Sequence, residues 1–325
     1  MSLRLIERFF SDSESCASVM LANLHPAADV EKNLAQMEEV VETAHRKGAN
    51  IVIFPELCVT GYVWDDPDDP DDTAVWDLLN RGENSRIAPT INRIRDSLRD
   101  DGKGLEYVFY NNARMLPGED KFHNSTFVLH HGFDYTKEQY IYDKVFLPPI
   151  EQRFFQQGTD KRLTIETKWG KFGFLTCYDL CFIELARKYA LQDHVDAMVT
   201  MAHWRSEAVR EYPWMNIMTD HYYGYLWNIM NASKAAYNQV WSLASNVVGP
   251  HDITGNYFWG GSGIWAPSGM PVVQASNITP ELILVHNLDI KRQRFKELDD
   301  FDYFIDFSKF YKQIHENGSK PQKMP

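Results

Sequence analysis

The sequence predicts a layered α/β fold, and two observations support this prediction. Short, continuously apolar segments alternate with longer amphipathic segments along most of the 325 residues. The apolar segment 51–54 is typical of a strand in a sheet that is buried on both faces. A hydrophobic content of 44% and an aromatic content of 14% are ample for the core that such layers require. The alternation therefore indicates helices packed on sheets.

The predicted elements follow one another with short connections. The first strand covers residues 17–24, and the helix after it covers residues 30–46, where Leu34, Met37 and Val41 recur at helical spacing. Further helices are predicted over residues 85–99, 182–191 and 215–237. The other predicted strands cover residues 51–54, 106–110, 125–129, 139–144, 172–176, 197–201, 240–245, 263–266 and 282–287.

We expect one domain over residues 1–290, because no internal repeat and no Gly/Ser-rich linker interrupts it. The tail over residues 291–325 is rich in aromatic side chains, which are too many to leave in water. They are expected to pack either on their own subunit or on a neighbouring copy. These aromatic residues are Phe295, Phe301, Tyr303, Phe304, Phe307, Phe310 and Tyr311.

Charge and cysteine content restrict the function and the compartment. A formal net charge of −12 disfavours nucleic acid and anionic membranes as partners, since both require basic patches, and favours a small-molecule substrate. No segment approaches the ~20 apolar residues that span a bilayer, and the N-terminus lacks a basic region followed by an apolar run. Four cysteines are too few for a disulfide scaffold. We expect a cytoplasmic protein with at least one cysteine free to react.

Residues 65–72 contain six aspartates and two prolines. The prolines exclude a helix or a central strand, and the segment lacks the glycine turn of a calcium loop. A solvated acidic loop is the simplest interpretation. Because the loop follows Glu56 closely, the alternative is that it borders the site and repels anionic substrates.

Three segments place a reactive side chain just past a predicted strand, where open α/β sheets collect their ligands. Glu56 follows strand 51–54, and partial burial there would raise the pKa of its carboxyl and suit it to accept a proton. Lys144 lies among aromatic residues and before two prolines, which suits a fixed positive charge in a cleft. Cys177 lies at a strand-to-helix turn, where a helix N-terminus lowers a thiol pKa and backbone N–H groups can bind an oxyanion.

Each of these three residues has a plain structural alternative. Glu56 can be a surface cap, Lys144 a solvated lysine and Cys177 a buried packing residue. The individual segments do not decide between these readings.

Cys177 also invites two other chemical hypotheses. A zinc site formed with Cys181 and either His194 or His203 is disfavoured, because the spacing lacks a second matched pair of ligands. A Cys–His dyad with His203 or His221 as the base stays open, although no local motif singles out either histidine.

Taken together, the segments resemble the nitrilase superfamily of carbon–nitrogen hydrolases. Phe54-Pro55-Glu56 is similar to its glutamate motif, Tyr142-Asp143-Lys144 to its lysine motif, and residues 173–179 with Glu184 to its nucleophile motif. The motifs occur in the family's order over roughly residues 17–288. Further matches are Glu151 before Arg153-Phe154-Phe155, which resembles the family's second glutamate, Ala244-Ser245-Asn246, and residues 259–264.

The resemblance implies a four-layer αββα sandwich that forms homodimers or higher homo-oligomers through helices. It also implies Cys177 as nucleophile, Glu56 as general base, Lys144 as oxyanion stabiliser, and Glu151 as a carboxylate that orients Lys144 or the substrate. No cofactor and no metal is implied. Substrate contacts are expected from the neighbouring residues Tyr178, His203, Trp204 and Asn246.

Departures from the family pattern bear on the substrate. Tyr178-Asp179 stands where true nitrilases typically carry Trp-Glu, which favours amides over nitriles. Carbamoylases of amino-acid derivatives tend to place basic residues just after the cysteine, whereas residues 180–182 are apolar here. A carboxylate clamp would have to come from elsewhere, and Arg205 is a candidate. Several segments, including residues 262–267, also resemble the pantetheinase and biotinidase branch, which acts on secondary amides.

The predicted activity is hydrolysis of a non-peptide carbon–nitrogen bond, in an amide or an N-carbamoyl compound, through a thioester on Cys177. One alternative is a nitrilase that acts on a nitrile. Another is a catalytically silent binding or assembly protein that retains the fold.

Overall fold

The computed structural model describes residues 3–13, 15–85, 89–101 and 103–318, with the backbone alone over residues 311–318. Seven helices lie in these ranges: α1 (Val30–Lys47), α2 (Thr73–Ser85), α3 (Pro89–Ser97), α4 (Ile183–Leu191), α5 (Tyr222–Asn238), α6 (Ile290–Leu298) and α7 (Tyr303–Gly318). The same ranges contain seventeen strands: β1 (Arg4–Phe9), β2 (Ala17–Asn23), β3 (Ile51–Ile53), β4 (Tyr107–Met115), β5 (Phe122–Leu129), β6 (Ile141–Asp143), β7 (Thr164–Thr167), β8 (Gly170–Thr176), β9 (Ala197–Ala202), β10 (Arg210–Tyr212), β11 (Ile217–Thr219), β12 (Trp241–Asn246), β13 (Val248–Pro250), β14 (Tyr257–Trp259), β15 (Gly263–Trp265), β16 (Pro271–Gln274) and β17 (Glu281–Leu288).

Two large sheets carry most of these strands. The first has the order β1-β17-β2-β3-β4-β5-β6, and its central strands β2, β3 and β4 are parallel. The second has the order β16-β15-β12-β9-β8-β7, with β8, β9 and β12 parallel. Strand pairs β10–β11 and β13–β14 form two small separate ladders. The parallel strands at the centre of each sheet bring their carboxyl ends to common edges, and loops from those edges form the site described below.

The two sheets pack face to face between two layers of helices. Ile51 and Ile53 of β3 share one buried cluster with Phe174 of β8 and Leu243 of β12. Val52, which points to the opposite face of β3, packs with the apolar faces of α1, α2 and α3. On the far side of the second sheet, α4 and α5 cover the outward residues of β8, β9 and β12. The predicted αββα sandwich is confirmed.

Helix α1 shows how the sequence determines where a helix of the outer layer begins, where it ends and which face is buried. Asp29 begins the helix, because its side chain accepts a hydrogen bond from the backbone N–H of Lys32 at 3.1 Å. Gly48 ends it in a left-handed conformation with φ 72°, which glycine adopts without a steric penalty. Leu34 and Met37 on the intervening apolar face are buried. Truncating Leu34 to alanine should cost about 2–5 kcal/mol of stability.

Most predicted elements are confirmed, but the helix predicted over residues 215–237 is wrong in its first part. It starts at Tyr222, and β10 and β11 form a hairpin ahead of it, joined by a turn in which Asn216 is left-handed with φ 52°. The predicted helix 85–99 is observed as α3, with residues 86–88 outside the described part of the chain. Strands β1 and β7 and helix α2 were not predicted.

The tail docks on its own subunit through polar contacts. Arg294 pairs with Asp196 at 3.0 Å and donates a hydrogen bond to the backbone oxygen of Gln239 at 2.8 Å, and the Phe304 ring lies 5.2 Å from that of His194. Whether it also contacts a neighbouring copy stays a prediction, and the Tyr311 side chain lies outside the described atoms. Across the described residues, no helix has the length and apolar character needed to cross a bilayer. Large side chains of the tail that remain exposed are Phe295, Phe301, Tyr303, Phe304, Ile305 and Phe310.

Candidate active site

Cys177 lies at the sharp turn that follows β8 and has a left-handed φ of 46°, a strained conformation for a residue with a side chain. Asp179 holds this turn. One of its carboxylate oxygens accepts hydrogen bonds from the Thr176 backbone N–H at 2.9 Å and the Tyr142 hydroxyl at 2.6 Å. The other accepts from the Phe146 backbone N–H at 2.8 Å. Asp179 therefore ties the turn at Cys177 to the segment that carries Lys144.

Glu56, Lys144 and Glu151 form a buried group that we call the catalytic cluster. The Lys144 Nζ lies 2.7 Å from Glu56 Oε1 and 2.7 and 2.8 Å from the two oxygens of Glu151. All three side chains are fully buried. Burial alone would lower the pKa of Lys144, but the carboxylates of Glu151 and Glu56 raise it above its ordinary value, so the amine stays charged. Burial raises the pKa of Glu151 to about 7, although Lys144 opposes the shift.

Three further groups fix the two carboxylates of the catalytic cluster. The Asn124 side-chain amide donates to Glu56 Oε1 at 2.8 Å and lies 3.4 Å from Glu151 Oε2. The backbone N–H of His203 donates to Glu56 Oε2 at 2.8 Å. The Tyr62 hydroxyl donates to Glu151 Oε1 at 2.6 Å. Both carboxylates are thus held by several donors, which fix their orientation in the buried site.

The Cys177 thiol lies close enough to the catalytic cluster for the charges of all three cluster residues to act on its pKa. Burial raises the pKa of the thiol well above its usual range, the charges of Glu56 and Glu151 raise it further, and Lys144 opposes them. The expectation of a lowered thiol pKa was therefore wrong, because burial and the adjacent carboxylates outweigh the five-residue helical turn that begins at Cys177. This arrangement requires a base to remove the proton as the sulfur attacks, and Glu56 is within reach.

A cavity of about 660 Å³ opens from Cys177 to solvent. Its walls are mainly apolar, which is usual for small-molecule sites. The exposed residues Asp65, Cys181 and Arg205 lie at its opening, and we call these three the cavity mouth. Apolar and aromatic residues of the wall include Val63, Trp64, Tyr178, Trp204, Leu226 and Phe258.

Comparison with known proteins identifies the family. A family model described as carbon-nitrogen hydrolase matches residues 17–295, which is most of the chain. The chain belongs to the carbon–nitrogen hydrolase family. This hydrolase is 23% identical over 297 residues to a probable nitrilase of Schizosaccharomyces pombe, covering 89% of this chain and 95% of that relative.

Two other relatives agree with this assignment. An N-carbamoylputrescine amidase of Solanum lycopersicum is 26% identical over 293 residues, covering 82% of the hydrolase and 84% of the relative. Among solved structures, XC1258 of Xanthomonas campestris, described as a CN-hydrolase superfamily protein with an arsenic adduct in its active site, superposes with a TM-score of 0.69 at 18% identity. The superposition covers 90% of this chain and 97% of that one and shows a shared fold.

Of the four residues predicted to contact the substrate, three line the cavity and one does not. Tyr178, His203 and Trp204 line the cavity. Asn246 does not, because its side chain accepts a hydrogen bond from the Trp204 backbone N–H at 2.7 Å and donates one to the Gly260 oxygen at 2.8 Å. Asn246 therefore positions the segment that carries Trp204, and the geometry does not support a substrate contact for it.

The acidic loop (residues 65–72) and Cys181 both contribute to the cavity. Asp65, the first residue of the loop, lines the cavity and pairs with Arg153 at 2.5 Å, so the loop does border the site. Arg153 also pairs with Asp72 at the end of the loop. A position one helical turn after Cys177 would point Cys181 toward packing if a helix began at Cys177, but Cys181 is exposed and lines the cavity. The reason is that residues 177–181 form a short 3₁₀ turn, and α4 begins only at Ile183.

Neither candidate histidine is arranged as a base. The ring of His203 packs between those of Tyr62 and Phe258, at 5.2 and 5.1 Å, and burial lowers its pKa well below the ordinary value. His221 lines a separate recess beside Trp259. Within the described residues, neither ring hydrogen bonds to Cys177, and no group of three or more potential metal ligands is arranged around an ion.

Sequence reasoning did not single out Tyr62 or Asn124. Asn124 is a polar residue on β5, a strand that is buried along its whole length, and a buried asparagine needs hydrogen-bond partners. That signal could have indicated it. Tyr62 follows Gly61, whose left-handed φ of 74° turns the chain after Glu56, and nothing in the local sequence points to Glu151 as its partner.

Proposed function

We propose that this carbon–nitrogen hydrolase cleaves amides or N-carbamoyl compounds through a thioester on Cys177. One observation carries the proposal. A thiol on the wall of an open cavity, that of Cys177, lies within the influence of a buried carboxylate, Glu56, whose Oε1 is 2.7 Å from the amine of Lys144. A nucleophile, a base and an oxyanion stabiliser are thus present at one point.

The proposed reaction uses each group in turn. Glu56 accepts the thiol proton as the sulfur of Cys177 attacks the carbonyl carbon, and the Lys144 ammonium and the Tyr178 backbone N–H stabilise the resulting oxyanion. Glu56 then gives its proton to the leaving nitrogen as the carbon–nitrogen bond breaks. Water, deprotonated by Glu56, attacks the thioester and releases the acid and the thiol. The protons balance without a cofactor.

Glu151 acts in this proposal as a positioning residue. Both of its oxygens accept hydrogen bonds from Lys144, and Tyr62 fixes it from the other side. Its carboxylate offsets the charge of the lysine and holds the amine in one place. Because the oxyanion must meet a donor that is already in position, this restraint favours the transition state.

Hydrolysis of amides is favoured over hydrolysis of nitriles. Tyr178-Asp179 replaces the Trp-Glu that typically follows the cysteine of nitrilases, and Asp179 is committed to holding the turn. The relatives include both a probable nitrilase and an N-carbamoylputrescine amidase, so nitrile hydrolysis is the second candidate. A catalytically silent binding protein would not need the buried cation and the two buried carboxylates, because removing charged groups from water costs free energy of folding.

A substrate panel tests the proposal. Primary amides, secondary amides, N-carbamoyl compounds and nitriles are incubated with wild type and with Cys177→Ala, and release of ammonia or amine is measured. We expect turnover of at least one amide or N-carbamoyl compound by wild type alone. Turnover of nitriles alone would favour the nitrilase alternative, and equal release by both proteins would contradict the proposal.

A further inference from the structure

Arg205 stands out among the charged residues of the cavity. Two residues with a permanent charge line it, Asp65 and Arg205. Asp65 is already paired with Arg153 at 2.5 Å. Within the described part of the chain, the Arg205 guanidinium has no carboxylate within ion-pair distance. The open cavity therefore presents one uncompensated charge to a ligand, and it is positive.

The backbone around Arg205 is held firmly relative to the catalytic cluster. His203, two residues earlier, donates its backbone N–H to Glu56 at 2.8 Å. Ser206, the next residue, donates its backbone N–H to the Tyr257 oxygen at 2.9 Å, and Arg205 itself forms a β-bridge with Phe258. Two residues of extended chain span at most about 7 Å, so the Cα atom of Arg205 lies within about 7 Å of the Cα atom of His203. Because Arg205 and Cys177 line the same cavity, one small molecule can contact both the guanidinium and the thiol.

The surroundings of Arg205 favour an anion over a cation. The charge of Arg205 helps to lower the pKa of His251 on the cavity wall, after the larger effect of burial, which keeps that ring neutral. Among the described residues that line the cavity, Asp65 is the carboxylate that could attract a cationic ligand, and it is already paired with Arg153. An anionic ligand would meet a guanidinium whose planar donors match a carboxylate in two parallel hydrogen bonds.

We propose that Arg205 binds a carboxylate of the substrate, so that the preferred substrates are amides or N-carbamoyl compounds with a carboxylate a few bonds from the scissile carbonyl. The inference rests on the proposed function and specifies its substrate class. The apolar wall accommodates the carbon chain between the two groups. Arg205 is a specificity residue here, because it contacts the substrate away from the bond that breaks.

Matched substrates test this inference. Succinamate, butyramide and β-alaninamide have similar length but end in a carboxylate, a methyl group and an ammonium, respectively. N-carbamoyl-β-alanine and propylurea form the corresponding carbamoyl pair. For wild type we expect the highest kcat/KM with the carboxylate member of each series. Because Arg205 is exposed, this preference should weaken as ionic strength rises.

Arg205→Ala and Arg205→Gln should lower kcat/KM for the carboxylate substrates by about 10- to 100-fold, mainly through KM, as expected for the loss of a charged hydrogen bond. Butyramide and propylurea should be unaffected. Arg205→Lys should retain part of the preference. The matched control is Arg210→Ala, since Arg210 is also exposed but stacks on Tyr222 outside the cavity, and it should leave every substrate unchanged.

The outcomes separate the two proposals. A wild-type enzyme that turns over neutral and anionic members equally, or whose preference survives in Arg205→Ala, overturns the role of Arg205 but leaves the hydrolase activity standing. A wild-type enzyme with no activity toward any amide or carbamoyl compound overturns the proposed function itself. A preference for β-alaninamide would contradict the inference directly.

Discussion

The catalytic cluster, which is buried next to Cys177, and the cavity mouth, which is exposed, differ in how their side chains are held. Each side chain of the cluster is fully buried and has at least two partners, and Glu56 alone accepts hydrogen bonds from Lys144, Asn124 and His203. The residues of the mouth are exposed, and Arg205 has no ion-pair partner among the described residues. Groups buried in this way tolerate little change in geometry, whereas exposed groups can vary without disturbing the fold. We therefore expect changes in the cluster to affect chemistry and stability together, and changes at the mouth to affect selectivity alone.

The largest expected effect comes from Cys177, where cluster and cavity meet. Cys177→Ala should abolish turnover while preserving folding and substrate binding, because it removes only the nucleophile. Turnover, thermal unfolding and substrate binding by calorimetry measure the three properties, and mass spectrometry should detect an acyl adduct in wild type alone. Residual turnover near the wild-type level would rule out Cys177 as nucleophile.

Lys144→Met should reduce kcat by about 10²–10³-fold or more, because it removes the charge that stabilises the oxyanion. It should also destabilise the fold by about 3–5 kcal/mol, since two buried carboxylates lose their cation. The double variant Lys144→Met with Glu151→Gln should recover part of the stability and none of the activity. Denaturant unfolding and steady-state kinetics separate these effects, and an active Lys144→Met enzyme would contradict the assigned role.

Glu56→Gln should slow acylation strongly, because an amide cannot take the proton of a thiol whose pKa is raised. His203→Asn and His221→Asn should be far milder, since among the described residues neither ring hydrogen bonds to Cys177. Single-turnover kinetics with these three variants compare the two candidate types of base. The opposite ranking would restore the Cys–His dyad.

Glu151 gives a smaller and pH-dependent effect. Its pKa has an ordinary value of 4.5 and is raised to about 7 in the fold, chiefly by burial. The folded state therefore binds this proton more tightly than the unfolded state, and the contribution of Glu151 to stability is lost as pH rises from about 4.5 to about 7. The free energy of unfolding of wild type minus that of Glu151→Gln should fall over this window and level off above it. Parallel pH curves for the two proteins would contradict this.

The sequence predicted which residues come together at the site better than it predicted where the helices and strands begin and end. Glu56, Lys144 and Cys177 each follow a strand with a clear apolar pattern, and the ends of these strands from the two packed sheets bring the three residues together. Asn246 was expected to contact the substrate after Ala244-Ser245-Asn246 was matched to the family pattern, and only the fold shows its amide bonded to Trp204 and Gly260. Long-range partners of this kind leave no local signal.

Two regions of the fold escaped prediction for physical reasons. Helix α2 contains Gly82, which disfavours a helix by propensity, yet a Cβ at this position would overlap Thr60. The glycine allows close packing that local sequence cannot reveal. The β10–β11 hairpin has an apolar sequence that continues into α5 without a clear stop, and the left-handed Asn216 provides the turn. Tertiary context overrides propensity at both places.

The smallest effect is expected at Cys181, which shares the cavity with Cys177 but lies at its mouth. In the described part of the chain no carboxylate hydrogen bonds to the Cys181 thiol, and partial burial raises the pKa of the thiol to about 11, so it is not an effective nucleophile at neutral pH. Cys181→Ala should therefore change kcat/KM by no more than about twofold, as is usual for an exposed position. Inactivation by iodoacetamide should proceed at the same rate in Cys181→Ala as in wild type and become slower in Glu56→Gln, because only Cys177 depends on that base. A Cys181→Ala enzyme as impaired as Cys177→Ala would mean that both thiols take part in the reaction, and a change at the mouth would then affect the chemistry and not selectivity alone.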